Sequence, residues 1–129
     1  MKFRVSIKKP LIALAMLTLV GSVNADEFVN GFLAAQEHDY VKAAKKWEPL
    51  AKEGHAQAQF FMGMLYHSGA HGVINEKEAV KLYHKAAENG NYLAQEYLVV
   101  GYQEGWFGLK KDSKKAQFWQ AKLDKNNNP

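Results

Sequence analysis

From Glu27 onward, apolar residues recur every three or four positions, the spacing of one helical face. Ala58, Phe61, Met62 and Leu65 carry this spacing from Ala56 to His67, and Ala79, Leu82, Tyr83, Ala86 and Ala87 carry it from Glu76 to Glu88. The stretch Ser68 to Gly72 breaks the first run. Asn89 and Gly90 close the second, with Gly supplying the left-handed residue of a helix C-cap. The arrangement recurs as Tyr92 to Glu104, a turn from Gly105 to Gly108, and Asp112 to Asp124, with Asp112 placed as an N-cap. Upstream, Glu27 to Glu37 and Tyr40 to Lys52 form a first pair across a short turn at His38 and Asp39, and Pro49 predicts a bend or break in the second member. The pattern predicts six helices in three hairpins, about 27–54, 55–90 and 91–126, followed by a polar tail at 127–129.

The N-terminal stretch follows another pattern. Lys2, Arg4, Lys8 and Lys9 precede an apolar run from Leu11 to Val20, and Val23 and Ala25 have the small side chains of a cleavage site. That order predicts a secretory signal peptide over 1–25 and a protein exported across the inner membrane of a bacterium to the periplasm. The apolar run is about half the length that a spanning helix needs, so no stable anchor is expected after cleavage.

This assignment changes the charge. The chain of 129 residues has 17 Lys and Arg against 13 Asp and Glu, a net charge of +4. Removing 1–25 takes away four positive residues and no acid, leaving 13 Lys, 13 acids and no Arg. A neutral chain without guanidinium groups is poorly equipped for phosphate and base-edge recognition, so nucleic acid is not an expected partner. The absence of Cys excludes disulfides, thiolate metal sites and a Cys nucleophile.

Sliding the chain against itself by 36 residues aligns Ala58 with Ala94, Gln59 with Gln95, Tyr66 with Tyr102, Gly69 with Gly105 and Gly72 with Gly108. Phe61 then meets Tyr97, Leu82 meets Phe118 and Tyr83 meets Trp119, while one step back Ala51 meets Ala87 and Gly54 meets Gly90. A period of this length marks stacked supersecondary units. Small residues at Ala58, Gly63, Ala87 and Ala94 allow close helix approach, and Tyr66, Tyr83, Tyr102 and Trp119 fill the gaps between hairpins.

Residues 55–90 read Ala58, Met62, Gly63, Tyr66, Gly69, Gly72, Val73, Glu76, Ala79, Leu82, Tyr83, Ala86, Ala87 and Gly90. This series resembles the Sel1-like repeat family, relatives of the tetratricopeptide repeats. The next unit keeps Ala94, Leu98, Tyr102, Gly105, Gly108, Asp112, Ala116, Phe118 and Trp119, but has Val99 in place of Gly and Lys122 and Leu123 in place of two Ala. Such departures suit a terminal capping unit. The resemblance implies an all-α fold, an α/α superhelix (solenoid) of about three helix hairpins that binds other proteins.

The stock of reactive residues is poor. Beyond residue 25 the chain has two Ser, no Thr and no Cys, and Ser113 lacks the S-x-x-K spacing of penicillin-interacting enzymes. Some Sel1-like relatives are linked to β-lactam binding, but those are rich in cysteine. His67 and His71 stand four apart, a ligand spacing on a helix, yet Gly69 and Gly72 make this stretch a turn. Glu53, Glu96 and Glu104 are the acids from which a hydrolase pair could be drawn, and nothing in their spacing brings two together. No catalytic set, metal site or cofactor is therefore expected.

Trp106 and Phe107 replace Ala70 and His71 of the preceding turn. Two adjacent aromatics cannot both point inward, so one is read as a plug and the other as an anchor for a partner. Lys110 and Lys111 follow at once and suit an acidic partner. Family geometry places Gln59, His67, Gln95 and Gln103 near the concave groove. The expected function is an exported adaptor that binds a protein or extended peptide. The alternatives are a periplasmic inhibitor or immunity protein against a toxin or hydrolase, and, from another class, an envelope enzyme acting on peptidoglycan or β-lactams. Phe118, Trp119 and Leu123 exceed the needs of one packing face, and form either a packed cap or an end that pairs with a second copy.

Overall fold

The computed structural model describes residues 24–127. The expected signal peptide therefore lies outside the described residues, apart from its last two positions. These begin a helix, α1 (24–36), followed by α2 (Tyr40–Lys52), α3 (Ala56–Ser68), α4 (Glu76–Glu88), α5 (Tyr92–Glu104) and α6 (Ser113–Asn127). Each helix from α2 to α6 packs against its neighbour in the chain, as a solenoid of hairpins requires. None of the described helices is long and apolar enough to cross a membrane.

Each helix boundary has a local cause. Asp39, Asn75 and Asp112 cap the second helix of each hairpin, their side-chain oxygens accepting from the N–H groups of Lys42, Glu78 and Lys115 at 3.0, 3.0 and 3.1 Å. His55 Nδ1 and Asn91 Oδ1 do the same for α3 and α5. At Gly54 and Gly90 the chain turns left-handed, and the next residue reaches back: His55 N–H to Leu50 O and Asn91 N–H to Ala86 O, each at 2.9 Å. In the short first turn His38 takes the left-handed position, with a φ of 62°. Helix α2 runs unbroken through Pro49. The missing N–H falls in the last turn, and the Pro49 carbonyl accepts from Glu53 N–H at 3.1 Å. The helix ends three residues on, at Lys52, so Pro49 lies near the end of α2 without interrupting it.

The core is built from small residues on one helix and rings on the next. Ala58, Ala94, Ala79 and Ala86 are wholly buried, and Trp47 and Tyr83 are almost so. The repeat register differs from the uniform shift of 36 in two places. The first turn is four residues shorter than the second, so Gly31 in α1 corresponds to Gly63 in α3, 32 positions on. Both stand against the ring of their own hairpin: a Cβ at Gly31 would meet Trp47, and one at Gly63 would meet Tyr83, each at under 3 Å. The last turn is one residue longer than the second, as the caps Asn75 and Asp112 show by lying 37 apart.

That extra residue turns α6 by about 100° against its expected register. The buried residues Ala116, Trp119 and Leu123 therefore match Ala79, Leu82 and Ala86, not the positions one residue later. The pairing of Tyr83 with Trp119 is corrected accordingly: Tyr83 matches Gln120, and Phe118 matches Lys81. Phe118 is 54% exposed for this reason. The same rotation explains Val99, because no ring stands at the Tyr83 position of the third hairpin to demand a Gly. Tyr66, expected as a gap filler, is half-buried with its ring edge to His71.

Candidate functional site: an aromatic groove along the first helices

Helices α1, α3 and α5 present one row of equivalent positions, Phe32, Met64 and Val100, none of them buried. Two clefts open from this row, one on each side of α3. The cleft between α1 and α3 holds about 460 Å³ and is lined by Phe32, Ala35, Tyr40, Trp47, Phe61 and Met64, among others. The cleft between α3 and α5 holds about 180 Å³, with Met64, His67, Ser68, Tyr83, Tyr97 and Phe107 around it.

These two clefts are the same place in successive repeats. Phe32, Ala35, Trp47 and Phe61 of the first correspond to Met64, His67, Tyr83 and Tyr97 of the second. The difference lies in what fills them. In the second, Phe107 stacks on Tyr97 with centroids 4.6 Å apart and planes 11° from parallel, and His67 meets Phe107 edge-on at 5.8 Å. In the first, Ala35 stands where the second has His67, and His71, the match of Phe107, turns to Tyr66 and does not line the cleft.

Trp106 and Phe107 divide the work expected of them. Phe107 is the plug, half-buried and held at a φ of 56°. Trp106 is 56% exposed and stands edge-on to Phe107. His67 borders the plugged cleft. Lys110 is exposed; Gln103 and Lys111 line a polar cleft of about 550 Å³ between the end of α5 and α6, next to Asp112, Gln117 and Gln120. The last hairpin thus ends the stack with polar side chains and the exposed ring of Phe118.

Gln59 and Gln95 are not at the groove, and their placement there is corrected. They are 3% and 1% exposed. Gln59 Nε2 donates to Ala51 O and its Oε1 accepts from Asn89, both at 3.0 Å. Gln95 repeats this with Ala87 O and Asn126. Each amide ties a first helix to the end of the preceding hairpin, because a buried amide is stable only with its hydrogen bonds made. At this burial neither amide is within reach of a ligand in the groove.

The groove residues Phe32 and Met64 were invisible to a repeat search at constant shift, since Phe32 aligns with Met64 only at a shift of 32. His84, half-buried on α4, shares a 2.9 Å hydrogen bond with the Tyr102 hydroxyl on α5 and meets the Trp119 ring of α6 edge-on. Burial holds its imidazole below the usual range, with Lys115 adding to the effect and Glu88 opposing it. Burial raises the Tyr102 phenol, and Asp112 adds to that. These two join hairpins, and Tyr102 also lines the cleft beside Lys111, Asp112 and Ser113. His67 and His71 are not part of any cluster of three His, Asp or Glu among the described residues.

Residues 56–91 and 93–120 match the family described as Sel1 repeat. Over 79 residues the chain is 37% identical to DAP3-binding cell death enhancer 1 of Rattus norvegicus, a match covering 60% of this chain and 16% of that protein. No solved structure matches significantly. The paired helices, the buried small residues at the family's positions and these matches agree: the chain is an all-α solenoid of helical hairpins that carries Sel1 repeats.

Proposed function

We propose that the protein is a non-catalytic binding module that holds another protein, or an extended peptide, in the groove formed by α1, α3 and α5, with Trp106 as an anchor at one end. The observation that carries this reading is the run of accessible apolar side chains along the groove: Phe32 at 42%, Met64 at 37% and Trp106 at 56% exposure. Apolar side chains in a concave face contribute to association because they leave water on binding. Sel1 repeats and a relative named for binding to another protein support the reading. Export to the periplasm belongs to the proposal and rests on the pattern of residues 1–25.

Photo-crosslinking residues placed in turn at Phe32, Met64, Trp106 and Lys125 test this reading in the native compartment. The expected result is a common crosslinked protein from the first three positions and none from Lys125 on the opposite side. Crosslinks from Lys125 alone would overturn the groove as the binding surface. The recovered protein is expected to begin at Asp26.

A further inference from the structure

We propose that the open cleft between α1 and α3 takes a bulky apolar side chain, best an aromatic one, from an extended peptide whose adjacent residues are Lys or Arg. This inference rests on the groove being the binding surface and names the chemistry of its occupant.

The first argument is the repeat itself. Two equivalent clefts flank α3, and the protein fills one of them with its own Phe107, seated face to face on Tyr97. The matching wall of the other is Phe61, stacked at 4.9 Å on Trp47. With Ala35 where the plugged cleft has His67, and with His71, the match of Phe107, turned to Tyr66, the open one keeps about 460 Å³ against about 180 Å³. An aromatic side chain entering there would make on Phe61 the contact that Phe107 makes on Tyr97. Stacked aromatic pairs add about 0.5–1.5 kcal/mol beyond the area they bury.

The second argument is charge. Helices α1, α3 and α5 carry four acids (Asp26, Glu27, Glu96 and Glu104) and no Lys or Arg, with Glu27 paired to Lys46 of α2 at 2.9 Å. Every Lys among the described residues lies on α2, α4 or α6, or in the last turn at Lys110 and Lys111. The turn beside the open cleft adds Glu37 and Asp39, both exposed. A peptide lying across this end of the groove meets apolar walls and negative charge, so cationic neighbours are favoured and anionic ones repelled. The Phe32 and Tyr40 rings offer cations a further attractive face.

The test uses short labelled synthetic peptides that carry one Phe flanked by Lys, and the same peptides flanked by Glu, titrated against the full protein by fluorescence anisotropy. The Lys-flanked peptide should bind about tenfold or more tightly than the Glu-flanked one, and added salt should narrow the gap. Phe32→Lys and Met64→Lys, both at exposed positions, should each weaken the Lys-flanked peptide about tenfold. Lys125→Glu on the opposite side should leave binding unchanged, and circular dichroism should show every variant folded. Equal or tighter binding of the Glu-flanked peptide would overturn the inference. So would concentration-dependent self-association of the full chain, abolished by Phe32→Lys, without peptide binding, because the occupant would then be a second copy. Failure of both peptides, with groove crosslinks intact in cells, would sink this inference and leave the groove reading standing. Crosslinks from Lys125 alone would sink both.

Discussion

Gly63 on α3 lies against the ring of Tyr83 on α4, so closely that a Cβ on Gly63 would stand 2.7 Å from Tyr83 Cε1. Tyr83 is 1% exposed and packed against the rings of Phe60 and Tyr97. Gly63→Ala would gain about 1 kcal/mol of helix propensity, but forcing the ring aside costs more. The expected net effect is a loss of about 1–3 kcal/mol, measured by urea unfolding. A variant as stable as the parent would show that the two helices separate without cost.

Gln95→Leu keeps the side chain's size and removes two hydrogen bonds, the buried one to Ala87 O and the part-buried one from Asn126. We expect it to lower stability by about 1–3 kcal/mol. Peptide and partner binding should be unchanged, since the amide faces the neighbouring hairpin and not the groove. A loss of binding without a loss of stability would return Gln95 to the binding surface.

Trp106 and Phe107 should separate cleanly by mutation. Trp106→Ala removes a side chain that is more than half exposed, so stability should stay within about 0.5 kcal/mol while partner capture falls. Phe107→Ala removes the stack on Tyr97 and should cost about 1–3 kcal/mol. Phe107→Ala should also widen the plugged cleft, which an apolar probe dye would report by increased fluorescence. The reverse stability ranking would exchange the roles of plug and anchor.

The imidazole of His84 titrates lower in the folded chain than in the unfolded one, because burial opposes its charge. The unfolded state therefore takes up the proton first. The junction of α4, α5 and α6 keeps its full stability above a pH of about 6.5 and loses it as the pH falls below that value. Unfolding midpoints at pH 8 and pH 5.5 should differ more for the native chain than for His84→Gln. Equal differences would mean that the histidine does not sense folding.

Much of the architecture is legible in the order of residues. The spacing of Ala79, Leu82, Tyr83, Ala86 and Ala87 defines a helix because only one face of it can be buried. Asp112 marks a helix start because its side chain satisfies an N–H group that the helix leaves free, and the structure adds Asp39 and Asn75 in the same role. The turn aromatics could be read as one plug and one exposed ring, since two neighbours cannot share a direction. Gln59 and Gln95 show the limit of this reading. A polar amide on a first helix suggests a groove, and only the packed structure shows a carbonyl of the preceding hairpin and an Asn side chain waiting for each.

By itself the sequence determined the helices, the caps at Gly90 and Asp112, the three-hairpin plan and the Sel1 character of the repeat, because each depends on neighbours within about one helical turn or on a periodic pattern of small and aromatic residues. The tertiary structure alone decided the register of the last helix, the burial of Gln59 and Gln95, and the contrast between an open and a plugged cleft. Those depend on turn length. One added residue rotates a whole helix, and four fewer shift a repeat, so the side chains that meet are set by geometry across helices and not by spacing along the chain.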